Sequence, residues 1–161
     1  MKKYIVFLLL FGFQIHFGQN KTTQYYFIRH AEKADSSKNP DLSEKGLERA
    51  LEWKALFSAI QFDAVYSTDF KRTLQTIHPI VVENDQLLKL YNPQILDIET
   101  FKKETKGKTI LIVGHSNTIP KMVNQLIKEN KYGDIAENQF GNLYIVTLSE
   151  NQILSHLLHL K

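Results

Sequence analysis

The sequence predicts an α/β fold: a three-layer sandwich with a mainly parallel central sheet, an antiparallel edge and helices on both faces. Three observations predict it. Short apolar, aromatic and β-branched runs alternate with stretches of helical spacing from residue 24 to residue 127, as in parallel strands joined by helices. The Tyr25-Tyr26-Phe27-Ile28 and Ile110-Leu111-Ile112-Val113 runs are apolar without alternation, as strands covered on both faces are. The last segment holds two strand-like runs joined by a polar turn, which predicts a hairpin and hence the antiparallel edge.

The elements follow in order. Residues 24–28 form the first buried strand, and the polar stretch 32–41, with Pro40, is an exposed loop. Ser43 opens a helix that runs to about Ala59, with Glu44 favourable at its positive end. Leu47, Leu51, Ala55 and Phe57 give it approximate helical spacing, and Trp53 extends the buried stripe. Residues 62–67 are a second strand. Asp69 is placed to cap a helix that carries Arg72, Gln75 and Thr76, with His78 and Pro79 at its end.

A short strand at 87–91 is halted by Asn92-Pro93, and 95–103 has helical character. Residues 108–113, launched from a turn at Gly107, are the clearest buried strand. Residues 119–127 form the helix after it, with Asn117 as cap and Pro120 tolerated in the first turn. Residues 143–148 and 153–160 make the closing hairpin, in which hydrophobic neighbours suggest packing for His156 and His159.

The 161 residues are 43% hydrophobic and 23% charged, which suits one globular domain. No Cys occurs, which excludes disulfides, thiol catalysis, Cys-ligated zinc and a lipidated N-terminal Cys. Lys2 and Lys3 precede an apolar run at 4–13 and a polar exit with Gly18, the layout of a secretory signal peptide. The run is short for a bilayer span, which needs about 20 residues. The expected division is therefore a signal peptide at 1–18 and one domain at 19–161, secreted or periplasmic, with no membrane association after cleavage. Removing the leader takes away Lys2 and Lys3 and no acid, so a net charge of +3 falls to about +1. No basic stripe remains to support a nucleic-acid partner.

In open α/β sheets, ligands bind beyond the carboxyl ends of the strands. Arg29-His30, Ser67-Thr68 and Gly114-His115 all fall at such ends, and Arg72 follows the second. Two His and two Arg at one sheet edge would make a cationic pocket of a size for a phosphoryl group.

Four segments carry a resemblance. They are Ile28-Arg29-His30-Ala31-Glu32-Lys33, Asp41-Leu42-Ser43-Glu44-Lys45-Gly46, the run from Ser67 to Thr76, and Val113-Gly114-His115-Ser116-Asn117-Thr118. In this order and spacing the chain resembles the histidine phosphatase superfamily, with its phosphoglycerate mutase-like fold. It is most similar to small exported members with Arg-His-Ala-Glu-Lys.

The resemblance implies hydrolysis of a small phosphomonoester through a covalent phosphohistidine on His30, with no metal or cofactor. A neutral imidazole suits that attack, since a phosphate dianion repels an anionic nucleophile. Arg29 and Arg72 would clamp the phosphoryl oxygens, and His115 would steady charge on the transferring group. Flanking guanidiniums should lower the pKa of His30. Thr68, Ser116 and Asn117 are candidate substrate hydrogen-bonders or helix caps. Glu32 is the candidate general acid, against an ion pair with Lys33 or Lys71. A phosphoramidate, which needs little help from an acid, stays open as substrate.

Three other readings compete. A mutase would need a lid over retained phospho-His30. A catalytically idle phosphate- or glycan-binding domain would use the same pocket for recognition. A metal site of His30, Glu32 and His115 would have Arg29 repelling its cation. Selectivity is expected in the loops 33–41, 84–94 and 129–141.

Overall fold

The computed structural model describes residues 22–84 and 88–160, so the expected leader at 1–18 lies outside the described residues. Six strands form one sheet in the order β3-β2-β4-β1-β5-β6. In chain order the elements are β1 (Thr23–Arg29), α1 (Glu44–Phe57), β2 (Ala64–Ser67), α2 (Lys71–Asn84) and β3 (Leu88–Leu90). They continue with α3 (Ile98–Glu104), β4 (Thr109–Gly114), α4 (Thr118–Ile127), β5 (Asn142–Leu148) and β6 (Ile153–His159). β1 with β4, β2 with β4 and β2 with β3 pair in parallel; β5 pairs antiparallel with β1 and with β6. This is the predicted three-layer α/β fold.

The two faces of the sheet bury separate cores. On one, Trp53 and Phe57 of α1 and Ile77 and Ile80 of α2 pack on Ile28, Val65, Leu111 and Val113. On the other, Phe101 of α3 and Ile119, Met122, Val123 and Leu126 of α4 pack on Tyr25, Phe27, Ile110 and Ile112. Alternate residues of β1 and β4 thus feed both cores, which is why their central runs, residues 25–28 and 110–113, are apolar without a break.

Local departures have physical reasons. Ser43 caps α1 as expected, accepting from the Gly46 amide at 3.1 Å. The buried face of α1 is, however, Gly46, Arg49, Ala50, Trp53 and Phe57, while Leu47 and Leu51 are exposed. Gly46 is required there: a Cβ would run into the Glu32 carbonyl, so the helix start rests directly on the backbone after β1. Pro79 does not end α2, and His78 lies within it. The missing proline hydrogen bond is offset by burial of Ile77 and Ile80 on either side.

α2 begins at Lys71, closed by the Leu74 amide on the Phe70 carbonyl at 3.0 Å, one residue later than a cap at Asp69 would place it. α3 starts later than expected, capped by Asp97. Asn117 stands at the N-cap of α4, yet its side chain makes no capping bond. His156 and His159 are exposed rather than packed, and His159 Nδ1 lies 2.8 Å from Asn142 Oδ1.

Candidate active site

The sheet register brings the expected residues together. Arg29 pairs with Gly114 and Ser67 with Val113, so β1, β2 and β4 end level. The next residues continue the ladder: the His30 amide donates to the Gly114 carbonyl at 3.0 Å, and Thr68 to Val113 at 3.4 Å. At Gly114 a Cβ would meet Tyr91 Oη at 2.7 Å and Ile119 Cδ1 at 2.9 Å, so a larger residue would have to push those side-chain ends aside. His115 follows it with its ring centroid 5.5 Å from that of His30.

His30 is 4% exposed, and its Nδ1 lies 2.8 Å from the Ala31 carbonyl oxygen. A carbonyl only accepts, so Nδ1 carries the hydrogen and Nε2 keeps its lone pair. Burial pushes the pKa of His30 down to about 3, with the charges of Arg29 and Arg72 acting in the same direction. The bond to Ala31 favours protonation but does not outweigh burial. The ring is neutral at neutral pH. The guanidiniums do lower this pKa, as the sequence suggested, but burial is the larger cause.

His115 is held by side chains. Arg72 Nη2 lies 3.3 Å from its Nδ1, and Thr68 Oγ1 lies 3.0 Å from its Nε2. A guanidinium only donates, so Nδ1 accepts and Nε2–H donates to Thr68. Thr68 passes its own hydrogen to Thr73 Oγ1 at 3.1 Å, and Thr73 donates to the Thr68 carbonyl at 2.8 Å. Every hydrogen in this chain has an acceptor. Burial, then Arg72 and Arg29, push the His115 pKa down to about 4.

Each His–Arg pair has an aromatic wall. Arg72 lies over the Phe70 ring at 4.4 Å, and that ring meets His115 edge-on at 5.0 Å. Arg29 lies over Phe140 at 4.3 Å, and Phe140 is 6.1 Å from His30. Such stacking covers a guanidinium face and leaves its edge for hydrogen bonds.

Arg29 requires a correction. It is 1% exposed, and its Nη1 donates to the carbonyls of Ala136, Glu137 and Gln139 at 2.8, 3.2 and 3.0 Å. Its Nη2 meets the Glu137 carboxylate at 3.2 Å. Much of the fork expected to clamp a phosphoryl group thus pins the segment before β5. The Nε groups of Arg29 and Arg72 are buried without a hydrogen-bond partner among the described residues. Two cationic N–H groups thus stay without an acceptor among the described residues, at a cost in stability.

Glu32 requires another. Its carboxylate takes Arg49 Nε at 2.9 Å on both oxygens, with Lys45 at 3.7 Å; neither Lys33 nor Lys71 is its partner. With Glu32 and Arg49 both 9% exposed, this pair braces α1 against the residues after β1. Thr68, 1% exposed, holds His115 rather than facing an open pocket. Ser116 uses its carbonyl to accept from Ile135 at 2.9 Å. Asn117 is exposed and lines, with Thr118 and Lys121, a neighbouring cavity of about 660 Å³. No group of three or more His, Cys, Asp or Glu among the described residues is arranged to hold a metal, and His30, Glu32 and His115 do not form one.

A family model described as the histidine phosphatase superfamily (branch 1) matches residues 25–91, the span that holds Arg29, His30, Thr68 and Arg72. Over that span the chain is similar to the histidine phosphatase superfamily. Solved structures share the fold of this chain. Alpha-ribazole phosphatase from Shigella flexneri is 14% identical with a TM-score of 0.70, over 85% of this chain and 96% of that one. A histidine-to-alanine mutant of phosphoserine phosphatase from Entamoeba histolytica, in complex with phosphoserine, is 15% identical with a TM-score of 0.63, over 83% and 94%. Mycobacterial glucosyl-3-phosphoglycerate phosphatase is 12% identical with a TM-score of 0.65, over 85% and 97%. No curated protein sequence matches the chain.

Sequence reasoning passed over Phe70, Thr73, Phe140 and Glu137. Phe70 and Thr73 lie inside a motif already singled out, where an apolar residue between Asp69 and Lys71 was a usable signal. Phe140 was visible as a large aromatic in an otherwise polar loop end. Glu137 had no signal, since its partner Arg29 is 108 residues away in sequence.

Proposed function

We propose that this chain is a member of the histidine phosphatase superfamily and a phosphatase that takes a phosphoryl group from a small phosphorylated molecule onto Nε2 of His30. One observation carries the reading: the Ala31 carbonyl holds the Nδ1 hydrogen, leaving an unprotonated Nε2 in a buried ring beside two guanidiniums. The Nε2 lone pair forms the N–P bond while the bond from phosphorus to the leaving group breaks. The leaving group departs with its electron pair and is protonated from water. Water then attacks the phosphohistidine, inorganic phosphate leaves, and Nε2 recovers its lone pair.

Arg72 and the unpartnered Nε of Arg29 supply positive charge where the oxygens gather charge. This route uses no metal. His115, neutral and fixed by Thr68, is the fourth wall of the site. Glu32 has no part as the acid, because Arg49 holds it. A substrate with a good leaving group, such as an aryl monoester or a phosphoramidate, suits a site without a placed carboxylic acid. We further propose, from the leader-like residues 1–18, that the enzyme works outside the cytoplasm.

The test is phosphate release from p-nitrophenyl phosphate by the purified full chain with EDTA present, beside His30→Ala. Turnover that His30→Ala abolishes supports the reading. Folded wild type that binds inorganic phosphate and turns over neither p-nitrophenyl phosphate nor phosphoramidate would leave a binding domain in its place.

A further inference from the structure

The nucleophile is held by Ala31, and Ala31 is held from α2. Thr76 is fully buried, and its Oγ1 accepts from the Ala31 amide at 2.9 Å. The same oxygen donates to the Arg72 carbonyl at 2.6 Å. A helical Thr commonly bonds the carbonyl four residues back, and that bond alone would be ordinary. Here it spends the only hydrogen of the hydroxyl, so the lone pairs are left to face the strand end. Thr76 Oγ1 thereby joins the turn that carries Arg72 to the residue that follows His30.

We propose that Thr76 is a positioning residue for phosphoryl transfer at His30. The proposal rests on the phosphatase reading. Ala31 has both of its backbone polar groups in use: the amide on Thr76 and the carbonyl on His30 Nδ1. The first bond fixes the orientation of the second. Removing the hydroxyl leaves a buried amide with no acceptor, and the backbone must turn to find one. The Ala31 carbonyl then leaves the line of Nδ1–H. The imidazole gains access to its other tautomer, whose Nε2 carries a hydrogen and cannot attack. Arg72 loses its tie to the same point, so nucleophile and cation drift together.

The experiment compares wild type, Thr76→Val and Thr76→Ser in two measurements. Val keeps the shape without the hydroxyl; Ser keeps the hydroxyl without the methyl group. Steady-state kinetics with p-nitrophenyl phosphate should show kcat down by roughly tenfold to a hundredfold in Thr76→Val, the scale of a misplaced reacting group, with KM changed far less. Thr76→Ser should recover most of kcat. Nitrogen-15 NMR of the ring nitrogens should show His30 as the Nδ1–H tautomer in wild type and Thr76→Ser, and as a mixture in Thr76→Val.

Wild-type kcat in folded Thr76→Val would overturn the proposal. So would a fall in kcat with the His30 tautomer unchanged, since Thr76 would then act on stability or on Arg72 alone. If Thr76→Val does not fold, a Thr76→Ser variant with a mixed tautomer or a low kcat contradicts the role given to the hydroxyl. Failure of the phosphatase reading is separate: it appears as wild type without turnover, while the tautomer comparison still reports on Thr76.

Discussion

His30 and His115 are neighbours in one pocket, yet they are fixed by opposite means. His30 leans on a backbone carbonyl one residue away, whereas His115 is gripped by two side chains, Arg72 of α2 and Thr68 just after β2. The tautomers differ accordingly: Nδ1–H for His30, Nε2–H for His115. A carbonyl cannot donate, so it can only enforce the tautomer whose Nε2 is free for attack. A guanidinium cannot accept, so it enforces the reverse. The comparison teaches that the chemical nature of the second-nitrogen partner, more than the histidine itself, divides the labour between the two rings.

The largest break of that comparison is His30→Ala, which should reduce kcat by roughly 10⁴-fold or more, as loss of a covalent nucleophile does. Next is Arg72→Ala. Loss of one fixed cationic donor at the reacting oxygens should lower kcat by about 10²- to 10³-fold. It should also raise the pKa of His115 from about 4, because the Arg72 charge depresses it. Burial will keep that pKa below the ordinary histidine value, and NMR titration of the ring measures the shift.

Thr68→Val should act more weakly, lowering kcat by about tenfold through release of His115 Nε2–H. The His30 tautomer should stay as it is, and a change in both rings would break the division drawn here.

The pH dependence sharpens the same point. With His30 at about 3 and His115 at about 4, kcat/KM should hold from pH 7 down to about pH 5 rather than fall near 6.5. Stability has its own sign. Both folded pKa values lie below the unfolded value of about 6.5, so the unfolded chain binds more protons in between. The stabilising contribution is complete above pH 6.5, declines progressively below it, and is gone once pH has fallen through 4 and 3. Urea midpoints taken at pH 7, 6 and 5 should decline in that order.

The smallest effect on chemistry is expected at Glu32. Glu32→Ala should lower stability by about 1–3 kcal/mol, since buried Arg49 loses its bonds at Nε and keeps only the Glu52 carboxylate, 3.5 Å from Nη1. Its kcat for the folded variant should stay within about threefold of wild type, the scale of an indirect effect of lost packing. Denaturant curves and kinetics on one preparation check both, and a large loss of kcat would return Glu32 to the site.

The sheet was legible because β1 and β4 are buried on both faces, and continuous apolar runs such as Ile110 to Val113 report that directly. The placement of Arg29, His30, Thr68 and His115 was legible because parallel strands end together. What the side chains of those residues touch was not. Arg29 finds its partners in the segment before β5, and Glu32 finds Arg49 on the second turn of α1. Neither spacing has a periodic signature. The face of α1 was misassigned for the same reason: a buried ion pair turns Arg49 inward, and Leu47 and Leu51 go out. Pro79 misled because local propensity yields to packing of Ile77 and Ile80.

The central claim is that Nε2 of His30 carries the phosphoryl group, and its most direct test is a rapid-quench experiment. Wild type and excess p-nitrophenyl phosphate are mixed, stopped in alkali to preserve a phosphoramidate, and mapped by peptide mass spectrometry. A phosphoryl adduct on His30, formed and lost at rates consistent with turnover and absent from His30→Ala, is the predicted result. Turnover with the adduct on His115, or with no covalent adduct at any time point, would contradict the account.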